Sequence, residues 1–215
     1  MRRWLAIGLA GCIACHARAA APPLGVVVAA ERLAAEAGAA MLRRGGTACD
    51  AAAATALALG VVEPGSSGIG GGGFFLVRMQ DGRAWFLDAR ETSPRLAGNG
   101  EVYAHRSSID GPAAAGVPGL LAGVEALRKR CGRLSRAEIA APAIRLAEQG
   151  FVVSKRLARL IRFRRKAFNA AARRTFDKPE GARIVQPVLA RTLRRYVRFG
   201  VDDFYRGKTA KALRS

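Results

Sequence analysis

The chain has 215 residues, enough for one domain with its own core, or for one domain plus a tail. Half of it is hydrophobic, which excludes a disordered polymer. The formal charge of +20, from 36 Lys and Arg against 16 Asp and Glu, permits anionic partners but carries no information about fold.

The first residues read as an export signal. Arg2 and Arg3 form a charged start, Trp4 to Cys15 is apolar, and Ala17-Arg18-Ala19 offers an A-x-A cleavage site. Residues 1–19 are therefore expected to be a signal peptide and residues 20–215 the incomplete domain it exports, to a bacterial periplasm or the extracellular medium. The apolar run is too short to span a bilayer. Leu9-Ala10-Gly11-Cys12 supports a competing reading, a lipoprotein box with Cys12 lipidated, and membrane attachment is expected only by that route. Of the four cysteines, Cys49 and Cys131 lie outside the signal. They could pair in an oxidising compartment, but sequence does not place them within bonding distance. Cys49, set among alanines, reads as a small buried apolar residue. No metal-type Cys/His spacing occurs, and His16 and His105 are the only histidines.

Leu24 to Ala30 is short and β-branched and reads as a buried strand. Glu31 to Arg44 reads as a helix stopped by Gly45-Gly46. A second helix, from Thr47 or Ala48 to about Leu59, is nearly all small and apolar and should be buried all round. After the glycine-rich stretch Gly65–Gly73, two apolar runs flank Gln80-Asp81-Gly82, a hairpin signal. Pro112 to Gly119 opens a helix that ends near Arg130. Ser135 and Glu138 form a capping box for a helix expected to bend or restart at Pro142 and stop at Gly150. Ser154 caps the next helix, through about Ala167, and Pro187 opens another, through Phe199.

Residues 151–215 carry 19 Lys and Arg against 4 Asp and Glu. Arg162-Phe163-Arg164-Arg165-Lys166 could meet phosphates, but reads better as the solvated face of a helix whose other side is Leu157, Leu160 and Ile161. Phe163 and Phe168 read as core.

Gly68, Gly70 and Gly73 match G-x-G-x-x-G letter for letter. A dinucleotide loop follows a strand and opens a helix, and here the order is reversed. No Gly-Lys-Ser/Thr occurs either, so the loop reads as scaffold, where glycine admits unusual dihedrals or a close backbone. Arg90 in Asp88-Ala89-Arg90-Glu91-Thr92 stands just past a strand end. Its rigid fork suits a carboxylate, and an internal pair with Asp88 or Glu91 is the competing reading. Chemistry alone leaves both open.

Five stretches then resemble one family: LRRGGTACDAAAATALALGVVEPGSSGIGGGGFFLV, LDARETSPRL, GVPGLLAGVEAL, APAIRLAEQGFVVS and QPVLARTLRRYVRFGVDDFYRG. Over roughly residues 24–213 the chain is similar to the γ-glutamyltranspeptidase (glutathione hydrolase) family. The resemblance implies an α/β (α+β) fold, a helix-rich fragment with a small sheet from the αββα N-terminal nucleophile hydrolase architecture. It implies cleavage of the γ-glutamyl amide of glutathione, with glutamyl passed to water or an amino acid. The family's nucleophile is the N-terminal threonine of a small subunit, with its own α-amine as base. No cofactor or metal is implied. Carried onto this sequence, the D-x-R-E-T arginine is Arg90, which would bind the α-carboxylate of the γ-glutamyl group, with Asp88 and Glu91 holding its guanidinium.

The family's Thr-Thr-His junction has no counterpart among Thr47, Thr55, Thr92, Thr175, Thr192 and Thr209. The expectation is the front part of a large subunit, with no catalytic residue of its own, completed by the rest of that subunit and the small subunit. Alone, it should leave sheet edge and apolar faces uncovered. The alternative is a non-catalytic polypeptide acting through its basic C-terminal half on anionic membrane or nucleic acid. Nucleic acid is not the expected partner.

Overall fold

The structure, a computed structural model, describes residues 25–98, 100–107 and 109–214. The export signal and the Cys12 box lie outside the described residues. The helices are α1 (Arg32–Arg43), α2 (Ala48–Val62), α3 (Leu120–Cys131), α4 (Arg136–Gln149), α5 (Lys155–Arg164), α6 (Ala170–Phe176), α7 (Pro187–Phe199), α8 (Val201–Tyr205) and α9 (Lys208–Arg214). The strands are β1 (Gly73–Arg78), β2 (Ala84–Ala89), β3 (Phe151–Val152) and β4 (Arg183–Ile184). β1 and β2 form an antiparallel hairpin, and β3 pairs antiparallel with β4.

Helix α2 is the centre. Its Ala-rich sequence has no polar face, so it is buried on nearly every side and packs against α1, α3 and α4. Small residues set how close these neighbours come: a Cβ on Gly38 of α1 would lie 2.2 Å from Thr55 Oγ1 and 3.0 Å from the Ala51 carbonyl. The caps read from sequence are present, Ser135 accepting from the Glu138 N–H and Ser154 from the Leu157 N–H; Thr47, which the sequence did not single out, likewise accepts from the Asp50 N–H.

Three local expectations are corrected. The described part of the 24–30 stretch joins no ladder; Val27 and Ala29 meet the core while Val26 and Val28 face outward. A strand needs a neighbouring strand, and a one-sided packing strip looks the same in sequence. Of the bend or restart expected at Pro142, the restart is absent: α4 is continuous, with that ring buried in the core. The helix capped by Ser154 changes to a 3-10 turn at Arg165–Ala167.

The hairpin turns at Gly82, which has φ of +86°. Alternation along its strands sends Phe75, Val77 and Trp85 onto the core and leaves Phe74, Leu76 and Phe86 on the outer face. Leu76 pairs with Phe86 and is 78% exposed. The outer face of the sheet thus carries an apolar strip, Phe74, Leu76 and Phe86, without cover among the described residues.

A buried charge ties three helices together. Glu125 of α3 accepts hydrogen bonds from Arg128 at 2.9 Å, from Arg136 of α4 at 3.0 Å and from the Tyr196 hydroxyl of α7 at 3.0 Å. Burial alone would raise its carboxyl; the bonds from Arg128, Arg136 and Tyr196 outweigh that and hold it at about 2.

The sequence left the pairing of Cys49 and Cys131 open and read Cys49 as small and buried; it is buried in the core and it is paired. Cys49 and Cys131 form a disulfide, with Cα atoms 5.8 Å apart and a sequence separation of 82. Asp50 explains why they meet. Fully buried, it caps α2 and also accepts the Arg133 N–H at 2.9 Å and the Leu134 N–H at 3.3 Å, just past the end of α3. The Thr47 hydroxyl donates to the Cys131 carbonyl at 2.9 Å. The start of α2 and the end of α3 are therefore fastened by buried polar bonds as well as by sulfur.

Two stability outcomes follow. Glu125→Ala strands two guanidinium groups and should cost about 3–5 kcal/mol in a urea titration. Since the folded Glu125 carboxyl lies below its ordinary 4.5, the network's contribution is complete above about pH 4.5 and disappears as pH falls towards 2. Reduction of Cys49–Cys131 should lower the thermal midpoint, the loop entropy amounting to about 4.5 kcal/mol for a separation of 82 residues. The Cys49→Ala, Cys131→Ala double variant should show no further response to reductant.

Candidate functional site

Strand β2 runs out at Ala89, and the next residues leave the ladder with Arg90 first. Two loops reach this point. From the glycine-rich stretch, the Gly71 carbonyl accepts the Gly119 N–H at 2.9 Å and the Leu120 N–H at 3.0 Å, docking the start of α3. From the loop before α3, Val117 and Thr92 exchange backbone bonds of 2.8 and 3.1 Å.

The approach is closer than side chains allow. A Cβ on Gly72 would lie 2.6 Å from both the Ala89 carbonyl oxygen and the Glu91 nitrogen. On Gly119 it would lie 2.3 Å from the Ala89 and Arg90 carbonyl oxygens, and on Gly116 2.8 Å from the Glu91 Cβ. None of these glycines has positive φ. Of the two uses of glycine open at the level of sequence, close approach is the one realised here. The loop is followed by β1 and opens no helix, so the dinucleotide match has no structural counterpart.

Arg90 is oriented by three short-range features. Its backbone N–H donates to Asp88 Oδ1 at 2.9 Å, and its Nε donates to Glu91 Oε2 at 3.1 Å. Its guanidinium carbon stands 5.6 Å from the centre of the Phe74 ring. The side chain is 60% exposed, and among the described residues its two Nη groups make no hydrogen bond. The two readings left open for Arg90 are thus both present in one side chain: Nε is spent on an internal pair, and the outer edge of the fork is unspent.

Asp88 does not hold the guanidinium, contrary to expectation. Its carboxylate takes the N–H two residues on, the local turn that aspartate favours, and fixes the main chain instead. Among the described residues, Glu91 alone bonds the guanidinium. Its carboxyl is kept below the usual range foremost by its own backbone N–H, with partial burial opposing and with Arg90 and the Gly72 N–H helping.

Arg90 lines neither of two nearby concavities. One, of about 230 Å³, lies on the far side of Glu91 and Thr92 towards Ser93 and Tyr103. The other, an apolar groove of about 790 Å³, runs from Ile69 and Gly70 past Gln186 to Tyr205. Arg90 instead stands on an open face beside the outward Phe74. Among the described residues no group of His, Cys, Asp and Glu could hold a metal ion. The threonines have other work: Thr47 caps α2, Thr92 bridges to Val117, Thr175 and Thr192 bond carbonyls in their own helices, and Thr209 binds Asp203. Thr55 is buried against α1.

Sequence reasoning missed Gly116, Gly119 and Phe74 as parts of the Arg90 support. Their signal was present but non-local: Gly116 and Gly119 stand in the Gly/Pro loop, and Phe74 lies directly opposite Asp88 in the hairpin register.

Comparison with known proteins identifies the family and the fold. The family model described as Gamma-glutamyltranspeptidase matches residues 34–215. A glutathione hydrolase proenzyme of Pseudomonas sp. (strain A14) is 38% identical over 216 residues, covering 92% of this chain and 37% of its own length. Among solved structures, γ-glutamyltranspeptidase from Pseudomonas nitroreducens complexed with L-DON superposes with a TM-score of 0.82 at 38% identity, over 88% of this chain and 59% of that one. Helicobacter pylori γ-glutamyltranspeptidase gives 0.85 at 35% identity, over 90% and 59%. This chain belongs to the γ-glutamyltranspeptidase family, and its helix-rich unit with a small sheet is a partial N-terminal nucleophile hydrolase fold. It spans well under half the length of the curated relative from Pseudomonas.

Steric closeness at the support is directly testable. Gly72→Ala and Gly119→Ala should each cost about 1–3 kcal/mol by denaturant titration. Gly70→Ala, with nothing within 4 Å of the added Cβ, should stay within about 0.5 kcal/mol of the parent.

Proposed function

We propose that this chain is the portion of a γ-glutamyltransferase (glutathione hydrolase) polypeptide that presents Arg90 to the α-carboxylate of a γ-glutamyl group, and that the attacking nucleophile is not among its residues. The single observation behind this reading is the divided guanidinium: Nε fixed by Glu91, the Nη edge turned outward and without a hydrogen bond among the described residues. A carboxylate can take two parallel N–H bonds from such an edge, which fixes its orientation as well as its position. The guanidinium stands 5.6 Å from the centre of the Phe74 ring and is 60% exposed, so an incoming carboxylate can reach it.

In this reading Arg90 holds the substrate and other protein attacks it. A threonine elsewhere adds to the amide carbon, the amine leaves, and water or an amino acid takes the glutamyl group from the resulting ester. Glu91 is a positioning residue, acting through Arg90. The uncovered apolar face of Phe74, Leu76 and Phe86 is where the remaining layers of the sandwich would lie. Export is part of the proposal, and the Cys49–Cys131 bond supports it, since such bonds persist in oxidising compartments.

Calorimetric titration of the purified chain with L-glutamate checks the binding half. Arg90→Ala should weaken binding about tenfold to a hundredfold, as expected for a charged hydrogen bond of about 1.5–3 kcal/mol. Unchanged affinity would remove Arg90 from the site. The chemical half is checked with γ-glutamyl-p-nitroanilide: the chain alone should leave it intact, and turnover at ordinary enzyme rates would refute the missing nucleophile.

A further inference from the structure

Residues 155–167, which form α5 and the turn after it, contain seven Lys and Arg and no Asp or Glu. The inner side of α5 is core, with Leu157, Ala158 and Ile161 buried. Acids from elsewhere answer three of the cations. Arg156 pairs with Glu31 and Glu63, Arg164 with Asp110, and Arg165 with Asp177. Lys155, Arg159, Arg162 and Lys166 are exposed and make no ion pair among the described residues.

Phe163 stands among them. Sequence placed it in the core; in the structure it is 80% exposed. Lys155, Arg159 and Phe163 recur every fourth residue and form one ridge, with Arg162 beside it. A merely solvated face explains the cations but not the ring. A site for a free phosphate would not use the ring either. Cations flanking an outward aromatic suit an anionic bilayer, where the charges meet headgroup phosphates and the ring enters the interfacial layer. Single-stranded nucleic acid fits less well: it is gripped in a charged groove by several stacked aromatics, and these five residues line neither of the two concavities described above.

We propose that the outward face of α5, through Lys155, Arg159, Arg162, Phe163 and Lys166, docks on an anionic lipid surface. This does not depend on the role of Arg90.

The test is co-sedimentation of the full chain with phosphatidylcholine vesicles containing phosphatidylglycerol, compared with phosphatidylcholine alone. Binding should require the anionic lipid and fall steeply with salt. At about fivefold per cation, Arg159→Gln with Arg162→Gln should weaken it about twenty-five-fold. Phe163→Ala should weaken it about tenfold. Arg78→Gln with Arg191→Gln removes the same charge from other surfaces and should change it far less. These positions are exposed, and unchanged circular dichroism will verify folding. An equal loss in the control pair would show that net charge alone is sensed and would overturn the proposal. So would binding to single-stranded DNA that depends on the same residues without vesicle binding.

Discussion

A side chain can be aimed only as well as the backbone beneath it is held, and under Arg90 the backbone is held by the absence of side chains. Gly72, Gly116 and Gly119 let two loops come within van der Waals reach of residues 89–91, closer than any Cβ permits. That proximity allows the Gly71 carbonyl to take two N–H groups from the start of α3, so the loop, the helix and the strand end form one unit. The cost of glycine is greater freedom in the unfolded chain. It is offset here because a buried backbone polar group must find a partner, and the close approach supplies one.

Once the backbone is fixed, little more is needed to aim the guanidinium. Asp88 secures the main chain, Glu91 takes one N–H, and Phe74 supports one face. The division of labour between two adjacent acids follows from strand geometry. Asp88 is still in the ladder and can reach only the chain ahead of it, whereas Glu91 has left the ladder and can fold back on its neighbour. The same hairpin register that sets Phe74 opposite Asp88 leaves Leu76 and Phe86 on the outside, so the site borders an apolar surface that has no cover among the described residues.

Local features were legible in the sequence because their causes are local. Ser135 and Ser154 cap the helices they precede, and Asp81-Gly82 turns the hairpin. The helix-then-strand order around the glycines was enough to set aside a phosphate loop. What escaped depends on partners distant in the chain. Nothing near Cys49 reveals that Asp50 also receives the N–H groups of Arg133 and Leu134, yet that is what brings Cys131 alongside. Phe163 looked like core because phenylalanine usually is; only the turn of α5 relative to Leu157 and Ile161 puts it outside. For Arg90, position and charge were readable from residues 88–92, while the allocation of its N–H groups needed three dimensions.

The Arg90 guanidinium can be watched itself. In a chain with nitrogen-labelled arginine, titration with L-glutamate should shift the Arg90 side-chain NMR signals, while the α-amide of glutamate, which lacks the α-carboxylate, should leave them in place. Signals that stay still with L-glutamate, or that move equally with the α-amide, would contradict the claim that Arg90 is held out for a carboxylate.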